Sequence, residues 1–220
     1  YIDKFEQSDV YKSKFITKLL EHKVDHVKLD GEESSLGKIN ITGRNLKKKE
    51  GFSLKVDEIV FACHSDQTSK IIKTKTEESE ILSDITYQVN RGYLHEDISL
   101  MPKRKSVWSA WNFLSTQQQG KADQISITYW MNRLQKLRTN RNVFVSLNPP
   151  REPIRSEMTK ELVYEHPVFD AKMIKARDKI NNFQGNKGFW YCGAWTGHGF
   201  HEDGFISGKR IATEINRRYQ

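Results

Sequence analysis

Five glycines fall within residues 193–208, GAWTGHGFHEDGFISG, between an apolar run and an amphipathic stretch. A glycine-rich loop between a strand and a helix indicates a backbone that needs positive φ or close approach to another group. The helix that follows has the small residues Gly204, Gly208 and Ala212 at intervals of four, which favour close packing. Its first amides have no intrahelical acceptor and suit a phosphate or an electron-rich ring edge. The pattern is compatible with a cofactor at the start of the helix and equally with a tight turn that binds no ligand.

Histidine and acidic residues of the same loop allow a second chemistry. His198, His201, Glu202 and Asp203 lie close together, and the tetrapeptide LHED at 94–97 repeats the FHED of this loop with one substitution. Imidazole and carboxylate groups are ligands of zinc and iron, so a metal-dependent hydrolase is one alternative. Acidic residues in the first turn of a helix are also favourable because of the helix dipole alone. We expect no metal site here.

Composition limits the classes of protein that the 220 residues can form. Hydrophobic residues make up 36% and charged residues 29%, which is typical of a polar globular chain. The net charge is +8, but the basic runs at 47–49 and 103–105 are short and far apart. We therefore predict a lysine-rich surface and no nucleic-acid partner. No apolar run is long enough for a transmembrane segment, so we expect a soluble chain.

Both cysteines end apolar runs. Cys63 follows IVFA and Cys192 follows FWY, where a buried free thiol is the ordinary interpretation. Two cysteines cannot form a disulfide framework, and free thiols favour a reducing, cytoplasmic compartment. Nucleophilic catalysis by Cys63 with His64 is excluded on geometry, since adjacent residues of a strand point to opposite faces.

Hydrophobic periodicity predicts the elements of the first third of the chain. They are an amphipathic helix at 10–20, a hairpin of strands 24–29 and 38–44 joined by a turn at 30–37, a buried strand at 57–63, and a short helix that ends at Ile72. Ser65 or Asp66 stands where the N-cap of that short helix belongs.

The middle of the chain is rich in aromatic strands separated by polar loops. The predicted strands are 85–95, 107–115, 125–132, 143–150 and 162–166. They indicate a mostly antiparallel sheet. Four aromatic residues of this block either line an apolar pocket or pack in an ordinary core: Trp108, Trp111, Tyr129 and Trp130.

The last part of the chain returns to alternating elements. A helix begins behind the N-cap residue Asp170, a strand spans 188–195, and a final helix spans about 202–218. The order of elements predicts a sheet domain inserted within an α/β domain, and the fold class is α/β (α+β mixed).

Residues 190–208, WYCGAWTGHGFHEDGFISG, resemble the C-terminal FAD-contact motif of the flavin-containing amine oxidase-like proteins. The subgroup that the chain resembles is the NAD/FAD-dependent, amine oxidase-like proteins found beside or fused to cyclopropane fatty acid synthases. Further segments resemble landmarks of this subgroup in the same order, over nearly the whole chain. These segments are 60–72, 87–104, 107–113, 125–137, 144–150 and 164–170.

The resemblance implies a glutathione-reductase-like FAD-binding domain built from discontinuous pieces, with an antiparallel β-rich substrate domain inserted. On this basis residues 1–78 are the first segment of a partial FAD-binding domain, 79–184 the substrate domain, and 185–220 the strand, loop and helix that return to the FAD domain. The family's G-x-G-x-x-G after its first strand is absent from the sequence. We expect this chain to be a C-terminal portion, with the N-terminal nucleotide-binding unit of the same protein as its partner.

The resemblance also implies roles for single residues. Residues 193–196 would run beside the isoalloxazine ring, the amides of Glu202, Asp203 and Gly204 would lie near its N1/O2 edge or the pyrophosphate, and Trp195 and His198 would be nearest the reacting face. The predicted cofactor-binding residues are Gly193, Ala194, Trp195, Thr196, Gly199, Phe200, His201, Glu202, Asp203, Gly204 and Ser207.

The expected function is that of an FAD-dependent oxidoreductase in which the flavin accepts hydride from a small-molecule or lipid-linked substrate. No catalytic residue is assigned. We expect the 220 residues alone to bind FAD poorly, because most phosphate contacts would be missing. The alternative is a truncated, non-catalytic interaction protein with a basic surface.

Overall fold

The computed structural model describes residues 6–30, 37–73, 76–116 and 124–220. The chain has a mixed α/β fold with antiparallel sheets and divides into two compact units. The first unit combines Tyr1–Thr86 with Phe169–Gln220, and the second is Tyr87–Val168. Among the described helices, none is long and apolar enough to cross a membrane.

The first unit contains five α-helices and five strands within the described residues. In chain order they are α1 (Asp9–Lys12), β1 (His22–Leu29), β2 (Ile39–Asn45), β3 (Gly51–Val56), β4 (Ile59–Phe61), α2 (Ser65–Ile71), α3 (Glu77–Ser83), then α5 (Ala171–Ile180), β10 (Phe189–Tyr191) and α6 (His201–Arg218). Strands β1, β2 and β3 form an antiparallel sheet, and β10 pairs with β4 in parallel.

The predicted hairpin is confirmed, and the structure adds a third strand to it. Strand β1 pairs antiparallel with β2, and β3 then pairs with the other edge of β2. Gly43 is required in β2, since a Cβ there would lie 2.1 Å from the carbonyl oxygen of Lys23. The predicted turn at 30–37 lies mainly outside the described residues.

The predicted amphipathic helix at 10–20 is wrong. The helix α1 ends at Lys12, and the chain then turns through a hydrogen bond from the Ile16 amide to the Ser13 carbonyl. Phe15 is 87% exposed and Leu20 is 72% exposed, so these two apolar side chains do not belong to a buried helix face. An isolated helix of this length is marginal in water because its stability in proteins comes from packing.

The two short helices of the first unit differ from prediction at their starts. The N-cap of α2 is His64, which makes no side-chain cap bond, so Ser65 and Asp66 are helical residues. The helix α3 was not predicted, although Thr76 caps it by accepting a bond from the Ser79 amide. The helix α5 begins as predicted, with Asp170 accepting from the Met173 amide at 2.7 Å.

The second unit is an antiparallel five-stranded sheet. In chain order its elements are β5 (Tyr87–His95), β6 (Trp111–Thr116), β7 (Gln124–Trp130), the short helix α4 (Met131–Leu134), β8 (Phe144–Leu147) and β9 (Met158–Pro167), and the strands lie in the order β6-β7-β8-β5-β9. Every pair is antiparallel, so the predicted sheet is confirmed.

One face of this sheet is buried under the segment that follows β5. Met101, Trp108 and Phe144 form its apolar cluster, and Trp130 packs against it. Beside this cluster lies a buried polar row, in which His95 Nε2 is 2.8 Å from Ser146 Oγ and Ser146 Oγ is 2.7 Å from Thr128 Oγ1. Four aromatic residues are predicted to line a pocket or to pack in a core. Two of them, Trp108 and Trp130, therefore belong to the core.

Candidate functional site

The glycine-rich loop leaves the carboxyl end of a parallel strand pair. Phe189, Trp190 and Tyr191 of β10 lie opposite residues 59–61 of β4, and the Cys192 amide donates to the Phe61 carbonyl at 3.0 Å. Because the strands are parallel, the segment after β4 and the loop after β10 emerge at the same edge. In open α/β sheets, ligands bind in the crevice outside the carboxyl ends of the strands.

Gly193 begins the loop in a conformation that other residues rarely adopt. Its φ is +141°, and an added Cβ would lie 2.9 Å from Cδ1 of Trp195. Its amide donates to the Ser207 hydroxyl at 3.1 Å, and that hydroxyl donates to the Gly204 carbonyl at 2.8 Å. Ser207 is buried, so its side chain ties the start of the loop to the first turn of α6.

A short 3₁₀ turn, Ala194–Thr196, follows. The Trp195 side chain is 4% exposed, and its indole N–H donates to the Cys63 carbonyl at 3.2 Å. Thr196 closes the turn, with its amide and its hydroxyl both donating to the Gly193 carbonyl. The Trp195 ring thus packs inside the unit, and a ligand beside this turn would meet the backbone of residues 193–196.

Asp203 organises the second half of the loop. Its Oδ2 accepts from the His198 amide at 3.1 Å and from the Phe200 amide at 2.9 Å. Phe200 is the N-cap residue of α6, so Asp203 satisfies the cap amide from the third position of the helix. With two amides donating to it, this carboxylate adds less negative charge at the helix start than a free one would.

Arg177 and Phe169 hold the loop from the side of α5. Arg177 Nη1 donates to the Gly197 carbonyl at 2.9 Å, and its side chain is only 20% exposed. Gly199 has a φ of +91°, and a Cβ there would lie 3.3 Å from the ring of Phe169. No local pattern predicts either contact, because both depend on how α5 and the residues before it pack against the loop.

The start of α6 presents unpaired amides. His201, Glu202 and Asp203 are the first three helical residues, and their N–H groups have no acceptor within the helix. The side chains of His201 and Glu202 are exposed. Gly204 brings the helix close to the turn, since a Cβ there would lie 3.5 Å from the Ala194 amide. An anion or an electron-rich edge at this point would receive several N–H donors.

The structure therefore brings the predicted cofactor-binding residues into one segment, with different exposure. Trp195 and Ser207 are buried and support the loop, whereas Phe200 is 62% exposed. The His198 side chain is 80% exposed, with Nδ1 3.9 Å from Asp203 Oδ1. Their contacts to a flavin stay predictions.

The acidic and histidine residues do not form a metal-binding group in the part of the chain that the structure describes. There, no three His, Cys, Asp or Glu side chains converge. Asp203 binds loop amides, and the second HED tripeptide at 95–97 lies in the other unit. The hydrolase alternative therefore has no support in the described geometry.

Comparison with known proteins finds similarity in structure only. No family model matches the sequence, and no curated protein matches it at a significant level. Three solved enzymes share the fold: a CLA-producing fatty acid isomerase from P. acnes (11% identity, TM-score 0.55, 88% of this chain), a reduced UDP-galactopyranose mutase (9%, 0.51, 82%), and a putative protoporphyrinogen oxidase from Exiguobacterium sp. 255-15 (8%, 0.52, 90%).

The chain spans less than half of each of these enzymes. It covers 47%, 42% and 47% of their lengths, respectively. At such low identity the likeness shows the fold alone. Two of the three enzymes are described in redox terms, one as a reduced form and one as an oxidase.

Proposed function

We propose that this chain is part of an FAD-dependent, amine oxidase-like oxidoreductase, with residues 193–204 lying against the flavin ring. The observation that carries the proposal is the set of first-turn amides of α6, held open beside a glycine-rich turn. When bound, FAD supplies a hydride acceptor whose reduced form carries negative charge at N1/O2. The N-terminus of an 18-residue helix favours that charge.

The residues of the chain would act by position and electrostatics. The amides of His201 and Glu202 would donate to the ring edge, because Asp203 directs its carboxylate toward the loop amides and leaves them free. The backbone of residues 193–196 would run along the ring, with Gly193 held by Ser207. Trp195 would hold this turn in place through the hydrogen bond from its indole N–H to the Cys63 carbonyl.

We propose further that the adenosine end of the cofactor is held by residues outside the described loop. Phe200, Phe205 and Ile206 are 62%, 64% and 54% exposed around the helix start, which leaves apolar surface for the ring or for a nucleotide-binding unit to cover. In this proposal the fold around the loop is glutathione-reductase-like, and the substrate is a small or lipid-linked molecule. The relation to cyclopropane fatty acid synthases remains part of the proposal.

The test compares two proteins, the 220-residue chain and the product of the whole reading frame that contains it. We expect the larger protein to carry FAD, seen as flavin absorbance that is released on denaturation. We expect the chain alone to bind added FAD weakly in equilibrium dialysis. A larger protein that is colourless and takes up no FAD in excess would reject the function and would favour a non-catalytic interaction protein. Tight stoichiometric binding by the chain alone would reject the proposal that residues outside this chain complete the FAD site.

Within the larger protein, the loop can be tested by a matched pair of variants. Asp203→Ala removes the acceptor that shapes the loop, and we expect weaker FAD binding by about tenfold, corresponding to about 1.4 kcal/mol. Lys209→Ala changes an exposed residue two turns further along α6 and should leave binding unchanged. Equal FAD affinity in the two variants would argue against the placement of the ring at this loop.

A further inference from the structure

The second face of the five-stranded sheet is apolar, exposed at Trp111, Phe113 and Tyr164 of its edge strands and half-buried elsewhere. We call it the aromatic face, and its side chains are those of Trp111, Phe113, Ile127, Tyr129, Val145, Leu147, Leu94, Leu162 and Tyr164, with Lys160 at one corner. Trp111 is 57% and Phe113 62% exposed, and none of the nine is fully buried. Antiparallel sheets usually carry polar residues on a face that meets water. A contiguous exposed apolar patch marks a binding surface.

The strand register arranges this face into rows that run across the strands. One row is formed by directly paired residues, in the order Lys160, Leu94, Val145, Tyr129 and Trp111. Since neighbouring strands lie about 4.8 Å apart, the four steps of this row span about 19 Å. Its far end is an aromatic pair, because the rings of Trp111 and Tyr129 meet edge to face at 5.2 Å.

A second apolar row lies parallel to the first. Its members, also directly paired, are Leu162, Gly92, Leu147, Ile127 and Phe113. The two rows are two residues apart along each strand, which is about 7 Å. The two rows together form a continuous apolar surface across the five strands, with the Tyr164 ring beside Gly92, and the register fixes the order of its side chains.

The single cation of the first row stands at its end. Lys160 is exposed and makes no ion pair with any described residue. Arg141, which precedes β8, is already paired with Glu96. An apolar surface that crosses five strands and ends at an ammonium with no ion-pair partner among the described residues matches a molecule with an unbranched hydrocarbon chain and one terminal anionic group.

We propose that the aromatic face binds a long-chain fatty acid, with its carboxylate at Lys160 and its acyl chain lying across the strands toward Trp111. Binding follows from the sheet alone, whereas identifying the acid as the substrate rests on the proposed flavin-dependent function. An ammonium–carboxylate pair at a surface contributes modestly, and the burial of the chain on the apolar rows supplies most of the affinity.

The first experiment measures the charged end. The 220-residue chain is titrated with oleate below its micellar concentration, and binding is followed by displacement of a fluorescent polyene fatty acid. We expect Lys160→Gln to weaken oleate binding by about fivefold, and to leave binding of the uncharged oleyl alcohol unchanged. The control Lys175→Gln, an exposed lysine of α5, should behave as the unmodified chain does.

The second experiment measures the apolar rows. Phe113→Ala should weaken binding of both oleate and oleyl alcohol by about tenfold. Val163→Ala, on the opposite face and also exposed at 63%, should change neither. Octanoate should bind at least tenfold more weakly than oleate, because it would occupy only part of the track. Both substituted side chains are exposed, so circular dichroism is expected to show an unchanged fold.

Several results would overturn the proposal. One is no oleate binding, and another is oleate binding that is insensitive to both Lys160→Gln and Phe113→Ala. Self-association that Phe113→Ala abolishes, without oleate binding, would make the face a contact between copies of the chain. Binding to anionic vesicles but not to monomeric oleate would make it a membrane contact. None of these measurements needs FAD. The fatty-acid proposal can therefore fail while the flavin proposal stands, and the flavin proposal can fail while fatty-acid binding is observed.

Discussion

Gly193 and Gly208 differ in what surrounds them, although both belong to the same loop-and-helix segment. Gly193 has a φ of +141° and sits against Trp195, whereas an added Cβ at Gly208 would meet nothing within 4 Å. We expect Gly193→Ala to destabilise the chain by about 2 kcal/mol or more through strain and overlap. Gly208→Ala should stabilise it by about 0.5–1 kcal/mol, because alanine favours helix.

The two glycine variants check each other in a single urea-unfolding experiment. Midpoints that shift in opposite directions are the expected outcome. Equal shifts of the same sign would contradict the described conformation of the loop. Since both positions are glycine in the sequence, the sequence predicts only that some backbone constraint exists, and the contacts decide where it is.

Asp203 allows a second prediction at this scale. Asp203→Ala leaves the amides of His198 and Phe200 without their acceptor, and we expect a loss of about 1–2 kcal/mol in the free energy of unfolding. Asp203→Asn keeps one oxygen acceptor and should lose less. Glu202→Ala, at the neighbouring exposed position, should change stability by less than about 0.5 kcal/mol. A loss of equal size in the Glu202 variant would show that the first-turn charge, and not the cap, is what stabilises the helix.

At the scale of secondary structure, Glu58 joins three elements, β4, β10 and α6. It precedes β4 and accepts from Trp190 Nε1 at 2.7 Å, from Arg218 Nη1 at 2.8 Å and from the Tyr219 hydroxyl at 3.0 Å. Arg218 also lies over the Trp190 ring at 5.2 Å and donates to the Gly185 carbonyl. The carboxylate therefore fixes the last turn of α6 against the strand that leads into the loop.

We expect Glu58→Ala to expose the last turn of α6 and to destabilise the chain by about 1–3 kcal/mol, since three donors lose a charged acceptor. Amide hydrogen exchange should increase in residues 214–218 more than in residues 201–207. Glu214→Ala, which removes only the exposed pair with Arg217 on the same helix, is the control. Uniform exchange along α6 in the Glu58 variant would contradict local fixation.

His95 gives the sheet of the second unit a pH dependence. Burial lowers the pKa of His95 below its usual 6.5. The charge of Asp97 raises this pKa and the charge of Arg151 lowers it, each by less than burial does. Because the folded state disfavours the charged imidazole, its stabilising contribution is complete above about pH 6.5 and is lost as the pH falls below it. Glutamine does not titrate in this range. The unfolding free energy of the His95→Gln variant should therefore decrease less between about pH 8 and pH 5.5 than that of the unmodified chain. Identical pH profiles would refute the effect.

Asp97 adds a second, more acidic step. Burial alone would raise the pKa of Asp97, but hydrogen bonds from Ser99, Ile154 and Arg151 outweigh it and lower the pKa to about 2. This group stabilises the fold above its unfolded pKa, near 3.8, and the contribution is lost as the pH falls toward 2. We therefore expect Asp97→Asn to remove that acid-sensitive step from an unfolding titration between about pH 5 and pH 2, and leave the step near pH 6.5 in place.

At the scale of the whole molecule, the chain is discontinuous in one unit and continuous in the other. The unit Tyr87–Val168 contains its own five-stranded sheet and its own cluster of Met101, Trp108 and Phe144. We expect this segment, expressed alone, to keep antiparallel sheet by circular dichroism and dispersed amide resonances. A random-coil spectrum would mean that the sheet depends on the rest of the chain. The first unit, which needs both of its segments, is not expected to fold from Tyr1–Thr86 alone.

Periodicity and turn residues in the sequence determined most of the elements, because they act locally. The alternation of 24–29 and 38–44, the Asp170 cap and the aromatic strands of the second unit all follow from side-chain spacing and backbone preference. The glycine pattern of residues 193–208 predicts that the loop between the last strand and the last helix has a constrained backbone. The prediction of a helix at 10–20 is wrong because the spacing of apolar residues indicates only that a helix would have an apolar face. A short helix also needs a surface against which that face can pack.

Tertiary structure alone decided what each side chain contacts. Trp195 is turned inward to Cys63, Arg177 reaches the loop from another helix, and Trp108 and Trp111 lie on opposite sides of one sheet. The row from Lys160 to Trp111 joins five strands whose register no local pattern contains. These contacts depend on packing between residues far apart in the chain, and local spacing constrains only residues that are close together in it.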